Sequence, residues 1–105
     1  MELTVFERLI LLSILPKEGD FTTLKIIRKL REELSFTEEE HALLQFTSHE
    51  DGKTTWNPGG DISKYIKIGE KATDVITEVL EKMNSNKKLT EQHFSLYEKF
   101  MEKVN

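Results

Sequence analysis

The residues able to do chemistry are few: three histidines (His41, His49, His93), the run Glu38-Glu39-Glu40, a basic stretch from Lys25 to Arg31, and the pair Gly59-Gly60. Cysteine is absent, which removes disulfides, thiolate metal sites and thiol nucleophiles. No two histidines have metal-ligand spacing on one helix, and none stands beside a serine in a nucleophile arrangement. His49 next to Glu50 and Asp51 offers at most a weak ion site at a turn. Gly59-Gly60 is followed by Asp61, not by the Lys-Ser/Thr of a phosphate loop, and it lacks the spacing of a dinucleotide fingerprint. G-x-S-x-G, H-E-x-x-H and internal repeats are missing too. The chain is therefore expected to be non-enzymatic, with no catalytic residue, no cofactor, no metal and no small-molecule substrate.

The charged stretches have structural roles available to them. Lys25, Arg28 and Lys29, with Glu32 and Glu33, lie on the polar side of a helix whose other side carries Leu24, Ile26, Ile27, Leu30 and Leu34, and Arg31 completes the basic run K-I-I-R-K-L-R. Arg28/Glu32 and Lys29/Glu33 stand at i,i+4, where opposite charges offset each other for tenths of a kcal/mol. A solvated face is the expectation, with an anion-binding surface as the alternative. Glu38, Glu39 and Glu40 fall in the first turn of a helix capped by Thr37, where the helix dipole favours negative charge. Capping is preferred to a metal site there.

Five helices and a small sheet must position these residues. The first helix, about Val5 to Leu15, begins at a Thr4/Glu7 capping box and stops before Pro16. From Leu9 to Leu15 it is apolar on nearly every side, the pattern of a helix enclosed by its neighbours. It is too short to span a bilayer. The second helix runs from about Phe21 to Leu34 with Asp20 as N-cap, and the third from about Glu38 to Gln45. The segment F-T-S-H-E-D-G-K-T-T-W then reads as a hairpin with two available registers. A two-residue Asp51-Gly52 turn puts Phe46 and Trp56 on opposite faces, whereas a three-residue Glu50-Asp51-Gly52 loop pairs them directly. Burying both rings together favours the longer loop and makes Trp56 a core residue instead of a ligand-stacking one.

Asn57 to Asp61 is the strongest break in the chain. A third strand, about Ser63 to Ile68, directs Ile66 and Ile68 inward and Tyr65 and Lys67 outward. A helix from Glu70 to Met83 follows, then a polar turn from Asn84 to Lys88. The last helix starts at Thr90, with Leu89 and Phe94 placed as a hydrophobic staple. Phe94, Tyr97, Phe100, Met101 and Val104 form its apolar stripe, which serves either the core or an interface with another protein or a second copy. The fold class is α+β: one mainly helical domain over 1–105 with a two- to three-stranded antiparallel sheet. Its parts are a helical group at 5–45, a hairpin and third strand at 46–68, and a helical hairpin at 70–104.

A length of 105 residues suits one small core. The net charge of −4 disfavours broad attraction to nucleic acid or anionic membrane, and the opening Met-Glu-Leu-Thr lacks the features of a secretory signal. An intracellular, cytoplasmic protein is expected. Three helices followed by a two-stranded wing is, however, the order of a winged helix-turn-helix. The helix that reads DNA would be T-E-E-E-H-A-L-L-Q-F, whose glutamates repel phosphate. DNA binding would thus fall to Lys25, Arg28, Lys29, Arg31 and Lys53.

Four segments carry a resemblance: LTVFERLILLSILPKEGDF, IRKLREELSFTEEEH, IKIGEKATDVI and LTEQHFSLYEKF. With these the chain resembles the small proteins encoded by tailed phages and prophages. The resemblance covers about half the chain, in apolar and capping patterns, and carries no site residues. It implies an accessory protein acting by contact with another macromolecule, in host takeover, gene regulation or virion assembly.

Overall fold

Helix starts and stops are set locally. The computed structural model describes residues 1–57, 59 and 63–101. Val104, together with Pro58, Gly60 and Asp61 of the expected break, lies outside the described residues. Helix α1 (Val5–Ile14) opens on a reciprocal cap: the Glu7 amide donates to Thr4 Oγ1 (3.1 Å) and the Thr4 amide to Glu7 Oε1 (3.0 Å). It closes at Leu15, which is extended as a residue before proline should be. Helix α2 (Phe21–Leu34) is capped by the Asp20 carboxylate, which accepts from the Thr23 amide at 2.7 Å. Helix α3 (Glu38–Leu44) repeats the reciprocal cap with Thr37 and Glu40 and ends at Gln45 in the left-handed region.

Among the described residues the strands form two separate two-stranded antiparallel sheets. Strand β1 (Glu2–Leu3) pairs with β4 (Lys64–Tyr65), Glu2 opposite Tyr65 and Leu3 opposite Lys64. The Met1 amino group adds a bond to the Ile66 carbonyl, and the Ile66 amide one to the Met1 carbonyl. Strands β2 (Thr47–Ser48) and β3 (Thr54–Thr55) form the hairpin on their own. The expected third strand thus exists with its predicted facing, Ile66 buried and Tyr65 69% exposed, but it pairs with the N-terminus instead of the hairpin. Two residues of β1 are too few to show a period of two, which is why the sequence hid it.

Helix α4 (Glu70–Ser85) buries Ile76 and Leu80 and extends into the expected polar turn. A 3-10 turn at Glu91–His93 leads into α5 (Phe94–Met101), which buries Leu96 and Phe100. Leu3, Ile10, Leu11, Leu15, Ile27, Leu30, Leu34, Ile66, Ile76, Leu80, Leu96 and Phe100 make one continuous core, so the chain is a small mainly helical α+β domain. No helix among the described residues is long and apolar enough to cross a membrane.

Two expectations need correction. Helix α1 is not wrapped on all sides, since Leu9, Leu12 and Ile14 are half-buried while the charged Glu7 and Arg8 are buried. Burial follows the face turned to α2 and α5, and both charges on that face find partners. The Leu89–Phe94 staple is also absent, because Phe94 is 66% exposed. The last turn is fixed by a bond from the Thr90 amide to His93 Nδ1 at 3.0 Å.

Candidate functional site

The hairpin adopts the three-residue loop. Thr47 faces Thr55 and Ser48 faces Thr54; Gly52 has φ +85°, the left-handed geometry that this loop requires. The Gly52 amide donates to the His49 carbonyl (3.0 Å) and the His49 amide to the Lys53 carbonyl (2.8 Å). That register brings Phe46 edge-on to Trp56, ring centroids 6.1 Å apart. The contact continues in both directions. Phe6 of α1 stacks on Trp56 at 6.3 Å, Phe36 meets Phe46 at 5.0 Å, and His41 meets Phe46 at 5.6 Å. The Arg8 guanidinium lies 3.9 Å above the Phe36 ring, within cation–π range.

These rings are a satellite of the main core, and none belongs to it. Trp56 is half-buried, and Phe6 is 39% exposed. Trp56 therefore sits at a surface cluster and not in the central core, because α2 and α5 already cover the buried side of α1. Between α1 and the hairpin runs a cleft of about 610 Å³. Its walls are Phe6, Leu9, Ile10 and Ser13 on one side and Gly52 to Trp56 on the other, with Gln92 at the margin.

An ion-pair clamp holds this cluster in place. Arg8, 1% exposed, donates from Nε to the Leu34 carbonyl (3.2 Å) and from Nη2 to the Ser35 carbonyl (2.8 Å), carbonyls left over at the end of α2. Its Nη1 and Nη2 also reach the Glu40 carboxylate at 2.5 and 3.3 Å. One guanidinium therefore joins α1 to the α2–α3 corner. The Arg8 hydrogen bond, helped by the Thr37 amide and by Lys64, holds the Glu40 carboxyl down at about 2 against a desolvation that acts the other way. Glu7 is a second paired acid, and it is buried. Burial pushes its pKa up, but bonds from Lys99 Nζ (2.6 Å) and the Thr4 amide outweigh this, so the net shift is downward.

The sequence-nominated residues do not converge. Lys25, Arg28 and Lys29 are exposed on α2 and make no ion pair among the described residues, so the expected Arg28/Glu32 and Lys29/Glu33 pairs are not closed. Lys25 instead lies 5.7 Å from the Phe21 ring. Arg28 and Arg31 border a shallow depression beside Pro16, Lys29 borders another with Lys67 and Lys71, and Lys53 lies on the aromatic cleft. On α5, Phe100 is in the core, Tyr97 and Met101 are half-buried against it, and Phe94 is exposed. The stripe therefore does not form one outward face, and the residue buried alongside Phe100 is Leu96.

Sequence reasoning missed Arg8, and it read Glu7 only as part of the Thr4 capping box, not as a buried partner of Lys99. The one signal for both was the presence of two charges inside an otherwise apolar helix. No group of three or more histidines, aspartates and glutamates suited to a metal occurs among the described residues. Comparisons with family models, with curated proteins and with solved structures found no match.

Proposed function

We propose that this chain is a non-enzymatic interaction module, an accessory protein of the phage or prophage kind, which acts by gripping another protein at the aromatic cleft. One observation carries the reading: a chain of rings from Phe6 through Trp56 to Phe46 stands outside the core, partly open, on the wall of a cleft. Aromatic side chains of this sort are the usual anchors of protein contacts. The buried ionisable groups support the absence of chemistry. Glu7 and Arg8 are spent on caps and ion pairs, and His93 accepts a main-chain hydrogen bond.

Trp56 is the sole tryptophan, so its emission reports directly on the cleft. The test is capture from the native cell extract with the wild-type chain and with Phe6→Ala, followed by titration of the purified captured protein. The reading expects a change in Trp56 emission and affinity at least ~10-fold weaker for Phe6→Ala, the size of a modest hot spot. Equal affinity for both chains would remove the cleft from the contact.

The second reading, a winged-helix DNA-binding regulator, is favoured by one observation: α1, α2 and α3 are followed directly by the β2–β3 hairpin. Against it, Glu38 and Glu39 are exposed at the leading end of α3. A duplex titration across salt decides it, because phosphate-dominated binding weakens steeply as salt rises. No binding at low salt ends that reading.

A further inference from the structure

The hairpin wall of the cleft is lined by five consecutive residues, Gly52, Lys53, Thr54, Thr55 and Trp56, while β2 contributes none. All of this wall comes from the β3 arm and its turn, so the cleft runs alongside β3 and not beside β2. The opposite wall is Phe6, Leu9, Ile10 and Ser13, one face of α1 at the spacing i, i+3, i+4, i+7.

The hairpin register says which main-chain groups point into that space. His49 and Lys53 are joined by a main-chain bond, and partners in an antiparallel pair alternate between bonded and non-bonded positions. Thr54, opposite Ser48, occupies the non-bonded position. Its N–H and C=O are directed away from β2, toward the cleft. A strand edge facing an apolar helix across a groove is the arrangement used for strand addition by extended peptides. Among the described residues Lys53 is the only charged one lining the groove, and it lies at the start of β3. A strand added antiparallel to β3 brings its C-terminal end to Lys53.

From this we infer that the cleft binds an extended segment of a partner protein as a third strand on β3. The segment runs antiparallel, bonds through Thr54, seats an apolar side chain against Phe6, Leu9 and Trp56, and ends in an aspartate or glutamate beside Lys53. The inference rests on the interaction reading above and specifies the partner's conformation and charge.

The experiment uses the full chain and a library of N-acetylated, C-amidated hexapeptides of alternating apolar and polar residues, with and without a final acidic residue. Trp56 emission gives affinity, and amide exchange by NMR gives geometry. Acid-ended peptides are expected to bind, to slow exchange of the Thr54 amide, and to bind about 3- to 10-fold less well to Lys53→Glu. Thr54→Pro is the decisive variant. Proline is tolerated on an edge strand where the missing N–H faces outward, so the β2–β3 bonds survive while the docking donor is lost. Affinity should drop at least ~10-fold with the circular dichroism unchanged. Should Thr54→Pro unfold the hairpin, Thr54 amide protection in the wild type decides instead. Peptides that bind without protecting Thr54, or no peptide binding at all, overturn strand addition. A captured protein that depends on Phe6 but not on Thr54 also overturns it, while leaving the interaction reading intact.

Discussion

The ion pair between Arg8 and Glu40 sets the acid stability of this fold, and Glu40→Gln isolates it. Glutamine keeps the shape, and it can still accept from Arg8 and cap Thr37; what it removes is the charge. In the native chain the Glu40 carboxyl titrates at about 2, against an ordinary value of 4.5. A group with a depressed native pKa contributes stability above its unfolded pKa and loses it as pH falls to the native one. The window here runs from about 4.5 down to about 2. At ~1.36 kcal/mol per pH unit the ceiling is about 3 kcal/mol. The Glu40 side chain keeps 22% of its surface in water, so solvent screening lowers the expected figure to ~2 kcal/mol. Urea unfolding followed by circular dichroism at pH 7, 4, 3 and 2.5 measures it. Wild type should lose stability steeply across the lower three values, and Glu40→Gln should start lower at pH 7 and lose about one proton's worth less. If both chains fall in parallel between pH 4 and 2.5, the pair does not govern acid stability and the reasoning fails.

Three further outcomes are expected. Lys99→Met removes the cation paired with Glu7, whose side chain is 4% exposed; unfolding by urea should show a loss of ~2–3 kcal/mol, concentrated above the Glu7 titration because its native pKa is lowered. Gly52→Ala meets no neighbour within 4 Å but places a side chain at φ +85°, so thermal unfolding should report a cost of ~1 kcal/mol from backbone strain alone. Phe100→Asp buries a charge in the core and should unfold the chain, whereas Phe94→Asp should change stability by less than ~0.5 kcal/mol. Sedimentation of Phe94→Asp beside the parent then tests self-association through α5, and equal, monomeric behaviour of both at high concentration ends that idea.

Local signals were legible and through-space ones were not. Both Thr-x-x-Glu boxes, the Asp20 cap and the stop before Pro16 could be read directly, because each depends on residues within four positions, and the three-residue hairpin loop followed from pairing Phe46 with Trp56 across it. The facing of Ile66 and Tyr65 followed from alternation. What failed depended on distant partners. Arg8 meets Glu40 from 32 positions away, and Glu7 meets Lys99 from 92; no periodicity encodes such pairs, so two buried charges looked like interruptions of an apolar surface. The α5 stripe failed for a simpler reason: Leu96 stands four positions before Phe100 on one helical face, so burial centres on those two and leaves Phe94 exposed at its edge.

The buried charges also bear on the cleft. Hydrophobic contact is non-directional and would let the hairpin slide on α1, whereas the guanidinium of Arg8 has a fixed geometry. It binds the end of α2 at Leu34 and Ser35, the cap of α3 at Glu40, and the Phe36 ring from above. Phe36 in turn contacts Phe46, and Phe46 contacts Trp56. The position of the hairpin wall is thus traced back, ring by ring, to one buried side chain of α1, the helix whose other residues form the opposite wall of the cleft. Breaking that link should separate the two properties: Arg8→Met would disturb the placement of Trp56, visible as altered emission in native buffer, even under conditions where the helical core stays folded. An Arg8→Met chain with native Trp56 emission and native affinity for an acid-ended peptide would show that the hairpin is held by apolar contact alone.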